Sequence, residues 1–150
     1  MNVTEIITPT LANLDALYAV EIASHSYPWS HSQLASCFSE RYLNAALCLD
    51  RQVIGFYCAD YLLGESTLMN ICVAPQFRGQ HYGRILLEHY LKHSQNEGSE
   101  NWFLEVRQSN TVAQALYLAM GYRQTGLRKN YYQAGSQQEH AVLMHRTINK

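Results

Sequence analysis

Leu68-Met69-Asn70-Ile71-Cys72-Val73, the turn Ala74-Pro75-Gln76, the basic loop Arg78-Gly79-Gln80-His81-Tyr82-Gly83-Arg84 and the periodic run Ile85 to Ser94 together decide the fold. They read as a strand, a glycine-bearing loop and the start of a helix. In such an element the first N–H groups of the helix have no partner, and its dipole points its positive end at the loop. The two effects converge on one spot and suit it to hold a phosphate-bearing ligand. Past the helix, Asn96-Glu97-Gly98-Ser99 is a stop signal, and Trp102-Phe103-Leu104-Glu105-Val106 is a further strand. Thr67 to Val106 is therefore one strand–helix–strand unit, which sets two strands parallel.

Outward from this unit the pattern stays mixed. Val3 to Thr8 alternates weakly as a first strand, and Leu14, Leu17, Tyr18, Glu21 and Ile22 follow helical spacing behind a cap near Thr10 or Asn13. Pro28-Trp29-Ser30 breaks that helix, and Ser30 is placed to cap a short second helix through Phe38. Ala45 to Leu49 and Val53 to Leu63 read as strands joined by Asp50-Arg51-Gln52, and Gly64-Glu65-Ser66 as the next turn before Thr67 to Val73. Val112, Ala115, Leu116, Ala119 and Met120 mark one helix face, which Gly121 closes. Strands at Tyr122 to Tyr132 and Ala141 to Thr147 follow, with Gln133 to His140 between them. The expected fold is α/β: a mixed, mostly antiparallel sheet of about seven strands with a parallel central pair, flanked on both faces by about four helices.

The chain has 150 residues, 47% hydrophobic and 15% charged, which suits one folded domain over residues 1–150. No apolar run approaches the roughly 20 residues of a membrane span. Met1-Asn2-Val3-Thr4-Glu5 lacks a basic stretch followed by an apolar one, so a cytoplasmic protein without a secretory leader is expected. Cys37, Cys48, Cys58 and Cys72 form no Cys-x-x-Cys pair and read as reduced, buried thiols, with no metal expected. A net charge of −1 argues against broad nucleic-acid binding.

The loop, the strand after its helix, Asn110 and the spacing Tyr117-x-x-x-Gly121-Tyr122 together resemble the GNAT superfamily of acetyl-CoA-dependent N-acetyltransferases. Arg78 and Gly83 fit that family's pyrophosphate loop, while His81 stands where its first glycine is usual. Within the superfamily the chain resembles the branch that acetylates the N-terminal alanine of a bacterial small-subunit ribosomal protein. Four patches carry this: Pro28-Trp29-Ser30, Glu40-Arg41-Tyr42-Leu43-Asn44, Trp102 to Arg107, and Arg128-Lys129-Asn130-Tyr131-Tyr132.

The resemblance implies acetyl-CoA as co-substrate and a ribosomal-protein N-terminus as acceptor, without nucleic acid or membrane, in a monomer or weak dimer. An α-amino group has a pKa near 8 against about 10.4 for lysine, so lysine is the harder acceptor by roughly three kcal/mol. Glu105 would be the base and Tyr117 the acid that protonates the departing thiolate. Ile71, Cys72 and Val73 would align the pantetheine arm and thioester through their backbone. Gly79, Gln80, His81, Tyr82, Gly83 and Arg84 would cradle the pyrophosphate, and Asn110 would touch the cofactor. The residues alone favour a Glu105 that faces solvent or pairs with Arg107, an order the resemblance reverses, and Tyr117 could be an ordinary core tyrosine. Asn110 reads as a helix cap on sequence alone. A GNAT enzyme acting on a lysine or small-molecule amine, and a silent acetyl-CoA sensor, are the rival readings. His89 and His93 lie one turn apart but lack the glutamate of a zinc-protease helix, so a surface pair is expected. Trp29, Tyr42, Tyr131 and Tyr132 divide evenly between a peptide groove and simple packing.

Overall fold

The computed structural model describes residues 3–148; Met1, Asn2, Asn149 and Lys150 lie outside them. Seven strands form one sheet in the order β1-β2-β3-β4-β5-β7-β6. They are β1 Thr4–Ile7, β2 Tyr42–Leu49, β3 Gln52–Leu62, β4 Glu65–Val73, β5 Asn101–Arg107, β6 Arg123–Ala134 and β7 Gln137–Thr147. Every neighbouring pair is antiparallel except β4 with β5. The helices are α1 Leu14–Ser24, α2 His31–Ala35, α3 Tyr82–Asn96 and α4 Thr111–Ala119.

Burial divides into two layers. On one face Leu86, Leu87, Tyr90 and Leu91 of α3 and Tyr117 of α4 pack on Ile54, Tyr57, Leu68, Trp102, Leu104 and Val106. On the other, Leu14, Leu17 and Val20 of α1 and Leu34 of α2 pack on Ala46, Phe56 and Cys72. A thiol is as apolar as its neighbours in these surroundings, and all four cysteines are free and buried as expected. Caps set the helix starts: Thr10 and Asn13 form a reciprocal capping box ahead of α1, Ser30 and Gln33 form one at α2, and the Asn110 side chain accepts from Ala113 N at α4.

The strands and turns differ from the sequence reading in three places. Cys58 pairs with Asn70 and Ala59 with Leu68, so Met69 is a one-residue bulge in β4. A bulge inverts the alternation beyond it. Leu68 therefore faces α3, while Asn70 and Cys72 turn toward α1 and Ile71 and Val73 take the α3 side. Gln133 to His140, expected as a connection, is almost all strand, because β6 and β7 pair up to Ala134↔Gln137 around a two-residue turn at Gly135 and Ser136. The polar side chains there are largely exposed, and it is the backbone ladder that holds the hairpin. The turn before β4 likewise sits at Leu63 and Gly64, with φ of 52° and 82°, one residue ahead of the expected position.

His89 and His93 are half-buried rather than a free surface pair. The Tyr57 hydroxyl lies 2.8 Å from His89 Nδ1 and 3.3 Å from His93 Nδ1. Burial, and then the neighbouring His93, push the His89 pKa below its usual value.

Candidate active site

The sheet opens at its centre. Parallel pairing of β4 with β5 runs from Glu65↔Asn101 to Leu68↔Leu104 and stops there. Beyond it Ile71, Cys72 and Val73 stay paired with Tyr57, Phe56 and Gly55 of β3. Glu105, Val106 and Arg107 stay paired with Leu143, Val142 and Ala141 of β7. The β4 edge facing this opening thus carries backbone groups without a strand partner, of the kind a ligand can take up. One of them, the Val73 carbonyl, accepts Arg78 Nε at 3.2 Å and Ser24 Oγ at 3.4 Å. Arg78 also donates to Ser24 O at 3.1 Å, so it braces the loop against the end of α1.

The glycine loop lies at the mouth of the opening and leads into α3. The first i to i+4 bond there is Ile85 N to His81 O, which leaves the N–H groups of Tyr82, Gly83 and Arg84 free of the helix ladder. An added Cβ at Gly79 would meet nothing within 4 Å, and one at Gly83 only Leu116 Cδ2 at 3.9 Å, so the donors face open ground. This donor set fits a pyrophosphate. His81 takes a left-handed conformation, φ 68°, as the N-terminal flanking residue of α3. That is the conformation glycine adopts at no steric cost. Arg84 pairs with Glu88 at 2.8 Å across an exposed helix turn.

Alternation along β5 separates the two candidate catalytic side chains by face. Leu104 and Val106 point into the α3–α4 layer, so Glu105 points to the α1 side. Its side chain is 27% exposed and its Oε1 lies 3.0 Å from Arg128 Nη2, so it neither stands free in solvent nor pairs with Arg107. Arg107 instead meets Glu139 at 3.1 Å. Tyr117 is buried in the α3–α4 layer with its ring 5.7 Å from that of Tyr122. Burial, and then the nearby Tyr132, hold its hydroxyl well above the usual tyrosine range, so the phenol keeps its proton.

Tyr132 is the link between them. Burial and then the charges of Glu105 and Tyr131 push it up to about 12, against the lowering by Arg107 and Arg128. It is therefore within electrostatic reach of both candidates. The Arg107 guanidinium lies 4.5 Å from its ring centroid. A wide bulge sets this up: Arg128 pairs with Ala141 and Tyr132 with Glu139, which leaves Lys129, Asn130 and Tyr131 opposite His140 alone. Asn130 is left-handed at φ 55° and donates its N–H to His140 Nδ1 at 3.0 Å. Opposite, the Tyr27 hydroxyl accepts Gly135 N at 2.8 Å, joining the α1–α2 loop to the hairpin tip over this side of the opening.

Of the aromatic residues with two readings, Tyr132 lies in electrostatic reach of Glu105 and Tyr117. Trp29 packs against the α1–α2 core, and Tyr42 lines a separate hollow of about 220 Å³ with Phe38 and His93. A larger hollow of about 420 Å³, between α3, Met120 and Arg146, also lies away from Glu105 and Tyr117. Sequence reasoning missed Arg128 as the partner of Glu105, and missed Tyr27 and Glu139. The alternation that would have exposed Glu139 is hidden in a run of polar residues, Gln137-Gln138-Glu139-His140.

The family model described as Acetyltransferase (GNAT) family matches residues 10–122. A [ribosomal protein bS18]-alanine N-acetyltransferase of Escherichia coli strain K12 is 39% identical over 132 residues, covering 88% of this chain and 89% of that protein. Its counterpart from Salmonella typhimurium is 37% identical over 144 residues, 96% of each. The crystal structure of the ribosomal-protein-S18-alanine N-acetyltransferase from Escherichia coli superposes with a TM-score of 0.94 at 36% identity, covering 99% of this chain and 96% of that one.

Proposed function

The chain belongs to the GNAT acetyltransferase family, and from that premise we propose that it moves the acetyl group of acetyl-CoA to the N-terminal alanine amine of a small-subunit ribosomal protein, in the cytoplasm. Acetyl-CoA, when bound, supplies an activated thioester. The N–H groups at Gly79 to Arg84 hold its pyrophosphate, Asn110 makes a further contact, and the free backbone edge at Ile71, Cys72 and Val73 aligns the arm and polarises the carbonyl. Glu105 accepts a proton from the incoming ammonium, directly or through water, and Tyr117 donates one to the sulfur as it leaves.

One observation carries this assignment. β5, which borders the opening, turns the Glu105 carboxylate to the α1 side, while α4 holds the proton-bearing Tyr117 phenol in the α3–α4 layer, with Tyr132 in electrostatic reach of both. An acceptor approaching from the α1 side would meet the base first, while a leaving group on the other side would meet the acid. The relatives' recorded acceptor, an alanine N-terminus, is one that a carboxylate can deprotonate at modest cost.

The test offers acetyl-CoA with peptides beginning in Ala, Ser or Met, beside an N-terminally blocked peptide containing lysine. Labelling of the Ala peptide with little on the blocked one is expected. Equal labelling of the blocked peptide would sink the N-terminal assignment.

A further inference from the structure

Behind β4, on the side of α1, lies a group of side chains that acetyl transfer leaves unused. The bulge at Met69 turns Asn70 and Cys72 toward α1, where the last turn of α1 carries Glu21 and the extended residue just after it, His25, lies beside that carboxylate. One ligating atom each from Glu21, His25 and Cys72 lies within 4.8 Å of the other two. His25 Nε2 is 3.6 Å from Glu21 Oε1. Glu21 is 1% exposed and Cys72 7%, whereas the His25 side chain is 36% exposed, so the group opens to solvent on its imidazole side.

The carboxylate is already oriented. Glu21 Oε2 accepts Trp29 N at 2.9 Å and Oε1 accepts Asn70 Nδ2 at 2.7 Å. Such bonds fix a carboxylate and leave it lone pairs for a cation, as the outer partners of metal ligands do. Asn70 Oδ1 stands 3.2 Å from His25 Nε2 and brings a further oxygen. Helix-to-strand glue accounts for Glu21, Trp29 and Asn70. Cys72 packs in the same layer beside the Ser24 hydroxyl and brings a sulfur to the same buried carboxylate.

We propose that Glu21, His25 and Cys72 bind a divalent cation of the zinc class, with Asn70 Oδ1 or a solvent molecule as fourth ligand. One sulfur, one nitrogen and one oxygen suit zinc or cobalt and disfavour magnesium and calcium, which take oxygen. Ligand separations around tetrahedral zinc are about 3.3–3.6 Å, so the His25–Glu21 edge is already formed and the sulfur, within 4.8 Å of both other ligand atoms, has at most about an ångström to close. On uptake Cys72 loses its thiol proton to solvent and His25 binds as the Nδ1–H tautomer. The bound ion would tie the end of α1, and with it the loop carrying Tyr27 and Trp29, to the strand that lines the opening.

The experiment titrates the reduced, metal-free full chain with Co²⁺, without acetyl-CoA, so that it stands apart from the acetyl-transfer reading. A single equivalent should raise a thiolate-to-cobalt charge-transfer band and the visible spectrum of a four-coordinate ion. Zn²⁺ should bleach both and raise the Tm. Cys72→Ala should lose the charge-transfer band, and Cys48→Ala should keep it. His25→Ala should weaken Co²⁺ binding by at least about tenfold; because His25 is half-exposed, this variant carries the test if Cys72→Ala does not fold. No charge-transfer band, a band that persists in Cys72→Ala, or unchanged affinity in folded His25→Ala would overturn the proposal.

Discussion

At the scale of single residues, Glu105 and Tyr117 can be separated by how their loss depends on pH. An α-amine with a pKa near 8 is mostly protonated below neutrality, so a base matters most there. Glu105→Gln is expected to lower kcat by about a hundredfold in mildly acidic solution, with a smaller loss at alkaline pH where the amine is already neutral. Tyr117→Phe removes a donor whose proton is held by burial, so its loss should be of similar size, about a hundredfold, at every pH up to about 10. Cofactor binding, followed by calorimetry with coenzyme A, should be nearly unchanged in Tyr117→Phe. Normal turnover in both variants would remove the mechanism. The identity of these two residues was legible only through the resemblance. An acidic residue inside an apolar strand is visible in sequence, but its partner Arg128 comes from a bulge 23 positions downstream that no local pattern announces.

Elements were read unevenly, for physical reasons. The strand–helix–strand unit was legible because its period changes from two to 3.6 and back, with glycines marking the joints. The β6–β7 hairpin was not, because its outer half is polar on both faces and held by backbone bonds. The Met69 bulge was invisible for a different reason. Leu68, Asn70 and Cys72 alternate regularly in sequence, yet one extra residue moves the last two to the other layer. Turn chemistry, by contrast, supports a prediction. Leu63 and Gly64 both have positive φ in a two-residue hairpin turn, and Leu63 is 93% exposed. That turn type favours Asn-Gly, and a leucine there carries about 1 kcal/mol of left-handed strain. Leu63→Asn should therefore stabilise the protein by about 0.5–1 kcal/mol, read as a higher urea midpoint with unchanged slope. An unchanged or lower midpoint would mean that the strain is relieved elsewhere.

For the whole molecule, the opening between β4 and β5 depends on layers that meet very closely at Gly55. A Cβ there would lie 2.7 Å from the Cys72 carbonyl and 3.1 Å from Leu86 Cδ1. Gly55→Ala must displace the backbone of β4 and press on the Leu86 side chain of α3, and overpacking of this kind costs about 1–3 kcal/mol. Its coenzyme A affinity should fall together with its Tm, since the displaced strand is the one proposed to align the thioester. The tyrosines set a second property of the whole fold. Tyr57, Tyr90, Tyr117, Tyr122 and Tyr132 all have pKa values raised chiefly by burial. In the unfolded chain each ionises near pH 10, whereas the folded chain keeps these protons to higher pH. Above about pH 10 the unfolded state thus binds fewer protons than the native one, and stability must fall as pH rises. The contribution is fully present below that pH and is lost through the alkaline range. Urea midpoints should hold nearly level between about pH 8 and 9.5 and drop steeply by about pH 11, with a smaller drop in Tyr132→Phe, whose shift is among the mildest of the five. A midpoint that stays level to about pH 11 would show that these phenols ionise as freely in the native protein as in the unfolded one.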